Sequence, residues 1–159
     1  MLLGVMSDSH DRLDVLRRAV ELLNRRGAEH VLHAGDVVSP FAAAELGRLK
    51  APVTAVFGNN DGERRLLAEK LPGIAEFAEL TLGGTRVALY HGTSPELVRA
   101  LVDSGSYGLV VTGHTHRVHE ERRGSTLWLN PGELCGYLTG RCTLALVELE
   151  GMQVEVVEL

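Results

Sequence analysis

The sequence predicts an α/β fold, built either as one mixed sheet or as two packed sheets with helices outside. Two observations predict it. Apolar strand-like runs alternate with helical segments through the first half, and short antiparallel strand pairs crowd the second. No internal repeat, low-complexity tract or linker interrupts the 159 residues, so residues 1–159 read as a single domain long enough to bury a substantial core.

The elements follow in order. "LLGVM" (2–6) reads as a buried strand. "RLDVLRRAVELLNRRG" (12–27) places Leu13, Leu16, Val20 and Leu23 at helical spacing, with Asp11 as N-cap and Gly27 as terminator. "HVLHAG" (30–35) is strand-like, and "SPFAAAELGRL" opens a helix with Ser39 as cap and Pro40 at the first turn. "VTAVFG" (53–58) is a third strand, followed by a helix around 62–70. "EFAELTLGGTRVALYHG" (76–92) is a hairpin turning at Gly83-Gly84, and "SPELVRALVDSG" (94–105) repeats the Ser-Pro helix opening. "YGLVVTG" (107–113) is another apolar strand. Two further pairs turn about Gly124 and Gly151, with "TLALVELE" and "QVEVVEL" forming the last.

Composition narrows the function. The net charge of −5 argues against broad nucleic-acid or anionic-membrane binding, and the arginine pairs spread along the chain read as solvated faces. Cys135 and Cys142 form no metal or redox motif, so free thiols are expected. The apolar start is too short for a signal peptide or a membrane span, which makes the cytoplasm the expected compartment. No segment pairs a Ser or Cys nucleophile convincingly with a histidine.

The informative pattern is where the polar residues fall. Polar clusters directly follow five apolar runs: "VMSDSH", "LHAGD", "VFGNND", "LYHG" and "VVTGHTH". In α/β sheets, ligands and catalytic groups gather at the carboxyl ends of strands. Five such clusters would bring Asp8, His10, Asp36, Asn59, His91, His114 and His116 to one crevice. Two carboxylates, an amide and four imidazoles suit Mn²⁺, Fe, Zn²⁺ or Ni²⁺ better than Ca²⁺ or Mg²⁺. Seven ligands are too many for one ion and fit two that share a bridge. His33 and His119 are weaker candidates, for orienting a ligand and for the site rim respectively; His30 is weaker still, and Arg12 is a candidate phosphate contact.

The ordered set D-x-H, GD, GN-x-D, HG and GHTH resembles the calcineurin-like metallophosphoesterase family, in particular its small bacterial and archaeal phosphodiesterase branch. The resemblance runs from Asp8 to "NPGE" at 130–133, which is most of the chain. It implies a four-layer αββα sandwich of two mixed sheets flanked by helices. It further implies that Asp8, His10, Asp36 and His116 hold one metal, and that Asn59, His91, His114 and again Asp36 hold a second. Manganese is the expected ion, with zinc, iron or nickel as alternatives. The implied reaction is hydrolysis of a small phosphodiester, nucleotide-derived among the candidates, by a hydroxide held between two ions. Asp36, Asn59 and His114 would then position the transition state through the metals, and Asp61 would orient a ligand histidine.

Three positions depart from the family pattern. Asn60 stands where many relatives carry a histidine near the leaving group, and an amide cannot act as a general acid. Thr93 replaces a second histidine after His91, and Glu133 replaces a small residue, which reads as a minor change. Two other functions compete: a phosphomonoesterase, and a non-catalytic interaction scaffold resembling a retromer subunit of this fold whose metal site is eroded. Retention of all seven ligand positions favours an enzyme. A homo-oligomer is compatible with so small a chain.

Overall fold

The computed structural model describes residues 1–159 as ten strands and four helices. In chain order these are β1 (Leu2–Met6), α1 (Leu13–Arg26), β2 (His30–His33), α2 (Pro40–Leu46), β3 (Val53–Ala55), α3 (Arg64–Lys70), β4 (Phe77–Leu82), β5 (Thr85–Tyr90), α4 (Pro95–Asp103), β6 (Leu109–Val111), β7 (Val118–Arg123), β8 (Thr126–Pro131), β9 (Thr143–Glu148) and β10 (Gln153–Glu158). They form two five-stranded sheets, ordered β10-β9-β1-β2-β3 and β4-β5-β6-β8-β7. Both are mixed. β1, β2 and β3 run parallel in the first sheet, as do β5, β6 and β8 in the second, with antiparallel strands outside them.

Strand alternation sorts the apolar residues into three layers of core. Leu3 and Val5 of β1, Val87 and Leu89 of β5, and Leu127 and Leu129 of β8 meet between the sheets. Met6, Leu144 and Leu146 face the other way, onto Leu16, Ala19 and Leu23 of α1 and Ala43 and Leu46 of α2. Ala88 and Val110 pack against Val98 and Val102 of α4 on the far side of the second sheet. Three interfaces make four layers, helix-sheet-sheet-helix. The open choice between one sheet and two is settled by residues such as Val87 and Val147, which carry apolar side chains toward the opposite sheet. Gly4 lets α1 lie close to β1, since a Cβ there would stand 2.6 Å from Leu23 Cδ2.

Most element boundaries match the sequence reading. Ser39 and Ser94 cap α2 and α4 by accepting from the backbone N–H three residues on, with proline in the first turn of each. Gly83 and Gly84 turn the β4–β5 hairpin with φ of +53° and +81°. The expected cap of α1 is corrected. Asp11 makes no cap bond; Arg12 holds that position, and the Asp11 carboxylate instead accepts from the Ser39 hydroxyl. The third strand ends at Ala55, and only Val56 extends it, through an isolated bridge to Ala75. The segment that follows is spent on the site. No helix is long and apolar enough to cross a membrane.

Candidate metal centre

The loops after β1, β2, β3, β5 and β6 converge at one edge of the sandwich, drawing on both sheets. Backbone bonds stitch them together: Asp8 N–H donates to Gly35 O at 3.0 Å, His10 N–H to Asp36 O at 3.1 Å, and Gly113 N–H to His91 O at 2.8 Å. The Asp8 carboxylate joins the two sheets by accepting from His114 N–H through Oδ2 at 3.0 Å. Glycines make the approach feasible. A Cβ on Gly113 would fall 1.9 Å from Ser7 Oγ, and one on Gly58 would fall 2.1 Å from Asp36 Oδ1.

Five candidate ligands sit in the left-handed backbone region that non-glycine residues avoid: Asp8, His10, Asp36, His114 and His116, with φ between +41° and +66°. Each such residue costs on the order of 1–3 kcal/mol, and strain of this kind persists where function requires it. Tight reversals at these residues fold each carboxylate and imidazole back into the crevice.

Asp8, His10, Asp36 and His116 bring donor atoms within 4.8 Å of one another, a group able to hold a metal ion. His10 Nε2 stands 3.3 Å from Asp36 Oδ2 and 3.8 Å from Asp8 Oδ1, and His116 Nε2 stands 3.2 Å from Asp8 Oδ1. These are charge contacts without hydrogen-bond alignment, so Asp8 Oδ1 and His10 Nε2 are buried with no hydrogen-bond partner. Buried polar atoms are ordinarily paired, and an orphaned pair facing one point is what a cation satisfies. The Asp36 carboxylate, with Asp8, raises His10 to about 9. Burial works to raise Asp36 itself, but the adjoining His10 imidazole and the hydrogen bonds from Asn60 outweigh it and hold that carboxyl well below the usual range.

A second convergence lies on the other side of Asp36. His91 Nδ1–H donates to Ala34 O at 2.6 Å, leaving the Nε2 lone pair directed inward. That lone pair faces Asn59 Oδ1 at 2.9 Å and Asp36 Oδ2 at 3.5 Å, so three acceptors meet with no donor among them. His114 completes the group, its ring 5.2 Å from that of His91. Burial, and then the His91 ring, lower the His114 pKa, which favours the neutral, ligating form. All seven sequence-predicted ligands therefore lie in one crevice, around Asp36.

The supporting residues are partly as expected and partly not. Asp61 was expected to orient a histidine; instead it accepts only from the backbone. Its Oδ2 takes Asp36 N–H at 3.0 Å and Gly58 N–H at 2.7 Å, and Oδ1 takes Val38 N–H at 2.6 Å. It fixes the strained turn that includes Val38, whose φ is +78°. Asn60 donates to both Asp36 oxygens, from its backbone N–H at 2.8 Å and from Nδ2 at 2.7 Å. Thr93 bonds Tyr90 Oη at 2.8 Å. His33 is buried, donates from Nε2 to Ser9 Oγ at 3.0 Å and is pushed down to about 4 by burial. His119 packs on Trp128, and His30 bonds Thr54 Oγ1. Arg12 spends donors on Asp14 and on the Cys135 carbonyl.

Glu133, expected to be a minor change, is a hub. Its buried carboxylate accepts from His116 Nδ1–H at 2.7 Å, turning the His116 Nε2 lone pair toward Asp8. It also accepts from Cys135 Sγ, from Tyr137 and Leu138 N–H, and from the N–H and hydroxyl of Thr139. Burial works against its charge, but His116 and Thr139 outweigh it and bring the carboxyl to about 2. Cys135 also lies near His10 and His116, but burial pushes its thiol up to about 12, so the carboxylates are the better metal donors. The acidic residue two places after Pro131 was the signal in the sequence, and only the fold shows that it meets His116.

Comparison with known proteins shows the family. A model of the calcineurin-like phosphoesterase superfamily domain matches residues 1–152. The phosphodiesterase MJ0936 of Methanocaldococcus jannaschii is 39% identical over 156 residues, spanning 94% of both chains. The phosphodiesterase YfcE of Escherichia coli is 32% identical over 149 residues, spanning 84% of this chain and 79% of its own. A solved structure described as a novel archaeal phosphodiesterase superposes with a TM-score of 0.96 at 37% identity, each chain covered in full. On this family match and these relatives, the chain belongs to the calcineurin-like phosphoesterase superfamily and is a metal-dependent phosphoric ester hydrolase.

Proposed function

We propose that the protein is a dinuclear phosphodiesterase acting on small phosphodiesters. The observation that carries the reading is the double convergence around Asp36: an orphaned Asp8–His10 pair on one side and three facing acceptors on the other. Asp8, His10, Asp36 and His116 would hold one divalent ion, and Asp36, Asn59, His91 and His114 the other. The mixed nitrogen and oxygen donors fit manganese, which we take as the native pair, with zinc, iron and nickel sharing the donor chemistry. When bound, such a pair supplies an activated water and charge neutralisation at the phosphoryl oxygens.

The chain's own residues hold that arrangement. Asp36 is the shared carboxylate, kept ionised and fixed in place by Asn60. Ala34 and Glu133 set the tautomers of His91 and His116, so that both present Nε2 to the crevice. Asn60 cannot give a proton to a leaving group, which favours diesters with good leaving groups. We further read residues 1–159 as one cytoplasmic domain whose substrate is small and soluble.

The test is hydrolysis of bis(p-nitrophenyl) phosphate with added Mn²⁺, comparing wild type with Asp36→Asn and His114→Ala. The expected result is a loss of at least ~100-fold in each variant, since each metal contributes several kcal/mol to the transition state. Wild-type rates in both variants, or no activity with any divalent metal, would defeat the reading. Faster hydrolysis of p-nitrophenyl phosphate than of the diester would favour a monoesterase. Metal binding without turnover of either ester would favour a scaffold.

A further inference from the structure

Behind the loop that carries His114 and His116 lies a cavity of about 380 Å³. That is within the roughly 300–1,000 Å³ of small-molecule sites. It is bounded by α4, the β7–β8 pair and the loop itself, reaching Gly113, Thr115 and Arg117, and it contains none of the candidate ligands. Its lining is unusual for a chain of net charge −5: Arg99, Arg117 and His119 are present, and no carboxylate is. Arg99 pairs with Glu96 and Arg123 with Asp103 and Glu121, whereas Arg117 pairs with none. Arg117 directly follows the candidate ligand His116 and also lines the neighbouring depression formed with Thr139 and Arg141.

The cavity has an aromatic wall as well. The Trp128 indole is fixed by donating from Nε1 to Thr112 Oγ1 at 3.0 Å, and the His119 ring packs on it with centroids 4.1 Å apart. His119 is itself held by Glu121 at 3.2 Å. A rigid aromatic surface accepts a flat ring through stacking whatever the ring's edge pattern, and an unpaired guanidinium beside it takes a phosphoryl or other anionic group.

We infer that this cavity binds one ester arm of the substrate, an aromatic base carrying an anionic phosphoryl group, with the ring against Trp128 and His119 and the anion at Arg117. The assignment rests on the phosphodiesterase reading for its place in the reaction, though the binding site itself does not need the metals.

Trp128 is the one tryptophan in the chain, so its emission reports on this cavity alone. Chelator-treated protein is titrated with adenosine monophosphate, adenosine and inorganic phosphate while tryptophan fluorescence is read. A saturable response to adenosine monophosphate is expected, with adenosine and phosphate each binding at least about tenfold more weakly. Arg117→Gln should weaken adenosine monophosphate about tenfold, the loss expected for one charge-assisted hydrogen bond. No saturable response, phosphate binding as tightly as the nucleotide, or wild-type affinity in Arg117→Gln would overturn the inference. Diester hydrolysis measured in parallel separates the two claims. Hydrolysis without a nucleotide response defeats only this site, and a nucleotide response without hydrolysis defeats only the phosphodiesterase.

Discussion

Replacing Glu133 by glutamine removes one charge and converts one of two buried oxygens to a donor. In the native chain, Oε2 accepts from His116 Nδ1, Cys135 Sγ and Tyr137 N–H, while Oε1 accepts from Thr139 N–H and its hydroxyl. The cheaper amide placement keeps oxygen toward His116 and sets NH₂ against Thr139 N–H; the Thr139 hydroxyl can rotate to accept. One backbone donor is then orphaned, at about 1–3 kcal/mol, and the remaining bonds lose their charge assistance. We expect a total cost of roughly 2–3 kcal/mol, which lowers the urea midpoint by about 1 M for a chain of this size. The same change leaves His116 held by a neutral acceptor, and loss of such a partner weakens metal binding by about 10–100-fold. Urea denaturation with chelator isolates the first effect, and calorimetric titration with Mn²⁺ isolates the second. Wild-type values in both would refute the role given to Glu133. A lower midpoint with unaltered metal affinity would reduce it to a brace for residues 137–139.

Two other predictions test the supporting shell. Asp61→Asn leaves Val38 N–H facing an amide NH₂ and removes charge from the bonds to Asp36 and Gly58. At about 2–3 kcal/mol the melting temperature should fall by roughly 5–10 °C, read by circular dichroism, and no shift would contradict the account. His33 is neutral in the fold, with a pKa of about 4 against an ordinary 6.5. The unfolded chain therefore takes up a proton first, so its contribution is intact at neutral pH and lost as pH falls from 6.5 toward 4. The full difference is worth about 3 kcal/mol, and urea melts of chelated protein should show that decline reduced in His33→Asn; equal slopes would contradict it.

Most elements, and the gathering of the seven candidate residues at one crevice, were legible in the sequence because both rest on local rules, whereas the residues left one sheet or two open and the four layers came with the family resemblance. Near-continuous apolar runs in "LLGVM" and "TLALV" mark strands buried on two faces, and Ser-Pro marks two helix starts whatever the tertiary context. Polar residues that end apolar runs mark a crevice because strand ends are where backbone leaves the sheet. What escaped depended on contacts between distant segments. Asp61 meets Asp36 across 25 positions and Glu133 meets His116 across 17, and neither spacing has a periodicity to read. A cap and a loop-bracing carboxylate look alike in sequence, and Asp11 braces Ser39, 28 positions away. The left-handed turns at Asp8, His10, Asp36, His114 and His116 were equally hidden, since none of these residues is glycine.

The central claim is that two ions share Asp36, and metal stoichiometry against turnover tests it most directly. Mn²⁺ is added stepwise to chelator-stripped protein while bound metal and bis(p-nitrophenyl) phosphate hydrolysis are read together. The account predicts two ions bound per chain, with hydrolysis appearing as the second site fills, and loss of both stoichiometry and rate in Asp36→Asn. Full activity at one ion per chain, or activity that survives stripping, would contradict it.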